Sequence, residues 1–348
     1  MIDLSLSRFW TFILAFIIGA ILLPWFINYM KQMRMGQVVR EDGPQSHLFK
    51  EGTPTMGGVI ILSSIVIASM TLLLQLQPTG PVGWTAKTPM MTPALLLATL
   101  MAFGLLGFAD DYLKATRGQS LGLNHWQKLL WQFLIAIIFL ALLNYLNPNF
   151  DTSVSAFGRT LFLGWLFWPM AAILIVGMSN AVNITDGMDG LVAGLTTIAA
   201  VALMTASLTI VNAHIAIVLA ATAGACLAFL WFNANPARVF MGDTGSLALG
   251  GLLAAAAILT GQIIPFLIIG FVFVLEAGTV AAQVGYFKLS RRLSGEGRRI
   301  WKMAPLHHHF ELSGWQEQKV VVRFWIIGLL FAMLGILSRG DWHVWMRF

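Results

Sequence analysis

Five aspartates sit where their chemistry could be pooled: Asp110 and Asp111 as neighbours, Asp186 and Asp189 in a second segment, and Asp243 in a third. Carboxylate oxygens are hard ligands. A set of them without a cysteine cluster suits magnesium, which takes one or two carboxylates plus substrate phosphates and keeps several waters. The stretch NAVNITDGMDG, residues 180–190, runs from Asn180 and sets Asn183 beside Asp186 and Asp189 just ahead of an apolar run. FNANPARVFMGDTGS, residues 232–246, repeats that arrangement around Asp243. In both, glycines interrupt the helix, and backbone N–H groups at the next helix start can receive phosphate. Asp110 and Asp111 point about 100° apart on a helix, so they should have different roles. Either could steer a nucleophile while the other holds a lysine or a loop. His307, His308 and His309 cannot all reach one metal from a regular helix. They read instead as hydrogen-bond donors, with Lys302 nearby, to an anionic substrate. The Gly- and Pro-rich stretch at 36–58 carries Lys50, Thr53 and Thr55, which could touch phosphate. Glu276 and Gln283 fall near one helical face, pointing either into a cleft or into helix packing.

The elements that must position these groups are membrane helices. Of 348 residues, 58% are hydrophobic and 10% charged, against about 25% charged in soluble domains. A soluble enzyme, a disordered chain and a coiled coil are excluded by that bulk, and the single Cys226 excludes a disulfide scaffold. Apolar stretches run over 9–29, 56–74, 92–109, 129–146, 161–178, 191–211, 213–232, 246–259, 263–287 and 320–337. At about 20 residues per span they predict an all-α polytopic membrane protein of about ten transmembrane helices, one integral-membrane domain over 1–348. The first reads as a retained helix, not a signal peptide. The ninth is long enough to tilt or break, and Pro24 and Pro265 are candidate kinks. Ten spans put both termini on one side. Sixteen of the 21 Lys and Arg residues fall at the other, which the positive-inside rule assigns to the cytoplasm, leaving the termini periplasmic. The net charge of +6 thus serves orientation in lipid and not nucleic-acid binding. A lone aspartate at a helix end needs no more reason than water. Acids and histidines at several helix ends of one face predict a shared, cytoplasm-facing cleft.

Taken together, these motifs carry a resemblance. GQVVREDGP, KEGTPTMGG, FADDYLK, NAVNITDGMDG, FNANPARVFMGDTGSLALGG, APLHHHFELSGW and VRFWII occur in order along nearly the whole chain. The chain resembles the phospho-N-acetylmuramoyl-pentapeptide transferase family, within the polyprenyl-phosphate N-acetylhexosamine-1-phosphate transferases. The aspartate motifs are shared by the wider superfamily, whereas the triple histidine and GTPTMGG point to the muramoyl-pentapeptide branch. The resemblance implies transfer of phospho-MurNAc-pentapeptide from UDP-MurNAc-pentapeptide to undecaprenyl phosphate in the bacterial inner membrane. The products are lipid I, for peptidoglycan synthesis, and UMP. It implies Mg2+ as cofactor, with Asp243 as metal ligand and Asn183 assisting, and Asp110, Asp111 and Asp243 as catalytic residues. Asn183 and Asp186 would line the polar centre. Phe240, Gly187, Met188 and Asp189 would lie about the uracil pocket, and Lys50, Thr55, Gln283, His307 and His308 on the nucleoside side. Asn180 and His309 complete the expected substrate-binding set, and a homodimer is the assembly considered.

Chemistry independent of the resemblance points the same way. A diphosphate donor and a phosphate acceptor repel each other, and a divalent ion with cationic side chains offsets that repulsion. The expected reaction is direct displacement; a phospho-enzyme formed on Asp243 is the rival route. A related transferase using UDP-N-acetylglucosamine is a rival activity, and a transporter is the rival of another class.

Overall fold

Each apolar stretch forms helix, and several helices run well past the stretch that announced them. In this computed structural model, residues 4–33, 36, 50, 52–75, 88–117, 122–207 and 213–339 are described. They form α1 (Leu4–Gln32), α2 (Gly58–Gln75), α3 (Thr88–Arg117), α4 (His125–Leu146), a hairpin of β1 (Ser153–Ala156) and β2 (Arg159–Phe162), α5 (Phe167–Thr185) and α6 (Leu191–Ala206). Next come α7 (Ala213–Asn233), α8 (Gly242–Leu259), α9 (Ile263–Ile269), α10 (Phe271–Ser294), α11 (Leu306–Glu311) and α12 (Glu317–Leu337). Among the described residues, nine helices are long and apolar enough to cross a membrane, and α6, with 16 residues, is shorter. The chain is a polytopic, almost wholly helical membrane protein. Most of the first Gly- and Pro-rich loop (37–49) and the end of the sixth stretch (208–212) lie outside the described residues.

The interior is built on α7 and α8, each 83% buried over its span window, about which the other helices are arranged. α1 and α2 pack on α7, α3 and α5 flank α8, and α12 leans on α6 and α9. Small residues allow this: α8 carries Gly245, Gly250, Gly251 and Ala254 through Ala257, all buried, and helices in lipid associate by close backbone approach. A Cβ on Gly107 of α3 would overlap the Asp243 carbonyl, and one on Gly58 of α2 would overlap the backbone of Gly245. Two glycines therefore press α2 and α3 onto the first turn of α8.

Several local outcomes bear on the sequence reading. The fifth stretch was expected to be helical from Leu161. Instead 153–162 form an antiparallel hairpin with Ala156 opposite Arg159, and the helix starts at Phe167. Phe157 and Gly158 both have positive φ, the requirement of a two-residue hairpin turn. The ninth stretch, expected to tilt or break, breaks at Gly270, between α9 and α10. Pro265 lies in the first turn of α9, where its missing N–H costs nothing. Pro24 lies within a continuous α1. Finally, α3 continues beyond Ala109 to Arg117, and α8 starts at Gly242, ahead of the stretch that begins at 246, so Asp243 is a helical residue and not a loop residue. Hydropathy marks the part of a helix that lipid covers; backbone hydrogen bonding continues beyond it.

Candidate active site

The start of α8 organises the site. Gly242 adopts a φ of 72°, and a Cβ there would press on an Asp111 carboxylate oxygen. The first N–H groups of a helix have no partner within it. Here they find one on α3: Asp111 accepts from Asp243 N at 3.0 Å, Thr244 N at 2.9 Å and Thr244 Oγ1 at 2.7 Å. Asp111 is thus a cap supplied from another helix, and it holds Asp243 in place through the backbone.

Asp110, on a different face of α3, does something else. Its Oδ1 accepts from Leu123 N at 2.7 Å. Its Oδ2 meets Lys114, one turn along α3, at 2.6 Å and Lys128 at 3.1 Å. Lys128 lies one turn into α4, whose start is fixed by an Asn124–Gln127 capping box. Both ammonium groups also reach Asp243 Oδ2, Lys114 at 3.0 Å and Lys128 at 2.6 Å. Asn183, in the last turn of α5, donates its side-chain N–H to Asp243 Oδ1 at 2.8 Å and to Ser246 Oγ at 2.9 Å. One oxygen from each of Asp110, Asp111 and Asp243 lies within 4.8 Å of the others. Three hard carboxylates converging at that range fit a hard divalent cation.

Asp186, the C-cap of α5, lies beside this cluster. Burial, then the carboxylates of Asp243, Asp111 and Asp189, push its carboxyl up to about 8. At neutral pH it therefore carries a proton and can donate it in a hydrogen bond.

A second charged cluster joins four distant segments. Buried Lys50 donates to Asp189 Oδ1 at 2.7 Å and to Glu317 Oε1 at 2.6 Å. Glu317, the first residue of α12, also accepts from Asp189 N at 2.8 Å and Asn235 at 3.2 Å. The remaining Asp189 oxygen takes Asn235 at 3.1 Å and Ala237 N at 3.0 Å. Alongside, the Thr55 segment is laced to the Phe240 segment: Gly57 N donates to Phe240 O at 2.9 Å and Phe240 N to Pro54 O at 2.8 Å. That lacing brings Thr55 and half-buried Phe240 to the mouth of α8.

The histidine segment closes the site from α10. His307 Nδ1 lies 3.0 Å from Glu276 Oε2, both residues fully buried, and the His307 ring packs directly over Gly187. His308 meets Glu311 at 3.3 Å, whereas His309 accepts from Lys302 N at 3.2 Å and the Lys302 amine donates to Leu312 O at 3.0 Å. Gln283 secures the approach to this segment, accepting from Ile300 N and Trp301 N, both at 3.0 Å.

Residues 93–261 match the family described as Glycosyl transferase family 4, and residues 50–62 match phospho-N-acetylmuramoyl-pentapeptide-transferase signature 1. The phospho-N-acetylmuramoyl-pentapeptide-transferase of Halalkalibacterium halodurans is 46% identical over 94% of this chain and 95% of its own. The proteins of that name from Bacillus subtilis and Geobacillus kaustophilus are each 44% identical, over 94% and 95% of this chain and 96% of their own. The chain belongs to the phospho-N-acetylmuramoyl-pentapeptide transferase family. It is accordingly a multi-pass membrane transferase of peptidoglycan synthesis.

Within this member of the phospho-N-acetylmuramoyl-pentapeptide transferase family, the expected residues divide into groups. Asp110, Asp111, Asn183 and Asp243 meet directly, with Asp186 beside them. Lys50 and Asp189 are bonded to each other, Met188 is buried between Gly187 and Asp189, and Gly187 joins this turn to His307. Gln283 and His309 bind the segment 300–312, and Asn180 exchanges hydrogen bonds with Gln132 of α4 at 2.6 and 3.3 Å. Glu276 and Gln283 both contact the segment that follows α10, Glu276 through His307 and Gln283 through the backbone of Ile300 and Trp301. Sequence reasoning missed Lys114, Lys128 and Glu317 as members of these clusters. FADDYLK placed Lys114 one helical turn after Asp110 and was the available signal; Glu317, an acid at a helix start in an otherwise basic segment, was a fainter one.

Proposed function

We propose that this chain transfers phospho-MurNAc-pentapeptide from UDP-MurNAc-pentapeptide to undecaprenyl phosphate, releasing UMP and forming lipid I with Mg2+ as cofactor. The observation that carries this reading is the convergence of three carboxylates and two lysines at the first turn of α8. An oxygen of the acceptor phosphate attacks the donor phosphorus that bears the sugar; the bond from that phosphorus to the UMP oxygen breaks. Asp243 and Asp110 would hold the magnesium ion, with Asn183, expected to assist as a ligand, instead orienting Asp243 through its amide N–H; the ion when bound neutralises charge on the diphosphate and the departing UMP. Lys114 and Lys128 bind and orient phosphate oxygens. Asp110 orients the acceptor phosphate or takes its proton, and Asp111 keeps α8 and hence Asp243 in place. Asp186, whose carboxyl is pushed up by burial and by its carboxylate neighbours, lies beside the donor diphosphate. Phe240, Thr55 and the turn 187–189 form the nucleoside side of the cleft, with Lys50 and Asp189 bracing it. The cleft opens to the cytoplasm, where the cations gather, and both termini lie in the periplasm.

Purified enzyme in detergent with undecaprenyl phosphate should release UMP from UDP-MurNAc-pentapeptide and not from UDP-N-acetylglucosamine, and only with Mg2+. Release from the second donor alone would reverse the substrate assignment. A phosphorylated protein isolated with donor alone would replace direct displacement with the two-step route.

A further inference from the structure

All six carboxylate oxygens of Asp110, Asp111 and Asp243 already accept hydrogen bonds, and their donors differ in how readily they can leave. Both Asp111 oxygens are held by backbone N–H groups of Asp243 and Thr244. Asp110 Oδ1 is likewise held by Leu123 N. Freeing these means unwinding a helix start or moving a loop. Asp243 Oδ1 is held by Asn183, whose amide is also tied to Ser246. What remains is Asp110 Oδ2 and Asp243 Oδ2, and both are occupied by the same two amines. Those amines are the mobile donors of the cluster, each on a four-carbon stem. Their side chains are 32% and 16% exposed, for Lys114 and Lys128 respectively, so they have somewhere to go.

Resting on the metal-dependent reading above, we propose that Lys114 and Lys128 are resident placeholders for the divalent cation: they occupy the two oxygens it takes and yield them when it enters. The exchange is neutral in charge, since two ammonium groups leave and one doubly charged ion arrives. Two ammoniums and a divalent ion could not share these two oxygens without strong repulsion at hydrogen-bonding range. The displaced lysines remain tethered to α3 and α4 at the edge of the cluster, with their charges free to receive the donor diphosphate. The same two side chains thus prevent the carboxylates from repelling one another before metal entry and collect phosphate afterwards.

Lysine reactivity reads this directly, without turnover. The full chain in detergent, without nucleotide, is trace-labelled with acetic anhydride across a Mg2+ titration, and each lysine is quantified by peptide mass spectrometry. Metal binding is followed in parallel by Mn2+ paramagnetic resonance with Mg2+ competition. Labelling of Lys114 and Lys128 should rise several-fold along the metal-binding curve, while Lys50, buried between Asp189 and Glu317, stays constant as the internal reference. The K114Q and K128Q variants should each bind Mn2+ on the order of tenfold more tightly, as removal of a competing cation at short range requires. Saturable Mn2+ binding with no change at either lysine would overturn the placeholder role and leave the metal reading intact. No saturable Mn2+ binding at all would overturn both.

Discussion

Two clusters in this molecule are made of the same parts, lysine ammonium groups shared between pairs of carboxylates, yet they differ in what surrounds them. At α8, two lysines span Asp110 and Asp243 and are partly exposed. At α12, one lysine joins Asp189 and Glu317 and is buried, and the carboxylates take backbone N–H groups as well. In the first cluster Asp110 and Asp243 are matched by two cations that can leave. The second carries one uncompensated negative charge, offset by backbone N–H groups and by the positive end of α12. The former can exchange partners and do chemistry; the latter braces four segments against one another. Composition alone does not distinguish a reactive cluster from a structural one; the mobility of its counter-charges does.

The contrast can be broken most severely at Asp243. D243N should lower UMP release at least about a hundredfold, the scale of losing one electrostatic group at a reacting centre, with the thermal unfolding midpoint retained. A folded variant with normal turnover would remove Asp243 from the site. The α12 cluster should fail in the opposite way, through stability. K50M strands the buried Asp189 and the half-buried Glu317 carboxylates and should cost about 3 kcal/mol, the low end for breaking a buried ion pair. E317Q leaves a neutral Lys50–Asp189 pair and should cost less, and the K50M/E317Q double variant should be more stable than K50M alone. Additive losses in denaturant unfolding would show that the two charges are not coupled.

Smaller effects sharpen the division inside α3. D111A removes the cap of α8 and should cost about 1–2 kcal/mol in folding stability, as lost caps do, whereas D110A should cost less while impairing turnover. Equal losses in unfolding would erase the distinction between the neighbours. A pH-dependent effect concerns Asp186. Its carboxyl is pushed up from 3.8 to about 8, so between those values the folded chain holds a proton that the unfolded chain has released. Stability from this group therefore falls as pH rises across that window. D186N, which does not ionise, should gain on the parent chain in unfolding free energy as pH is raised from 5 towards 8, by about 1.4 kcal/mol for each pH unit crossed. A constant difference across that range would remove Asp186 as the titrating group.

Much of this site was legible beforehand. The motifs around Asp110, Asp186 and Asp243 and the position of each after or before an apolar stretch predicted their convergence, and Asp110 and Asp111 were expected to part in role because neighbours on a helix diverge. Which aspartate took which role was not legible. Asp111 finds its partners 132 and 133 residues away, and Lys50 meets Glu317 across 267. Such separations leave no local periodicity to read. Lys50, expected to touch phosphate, is bonded to Asp189 and Glu317, and Lys302, expected near the histidines at an anionic substrate, donates to Leu312 O.

Read alone, then, the amino-acid chain determined membrane residence, the approximate spans and the kind of ligand atoms available, because apolar length and residue type are local properties. Tertiary structure decided which charges pair, which are backbone-held and which can move. That outcome depends on how closely α2 and α3 approach α8, a distance set by Gly58 and Gly107 only once all three helices are packed together.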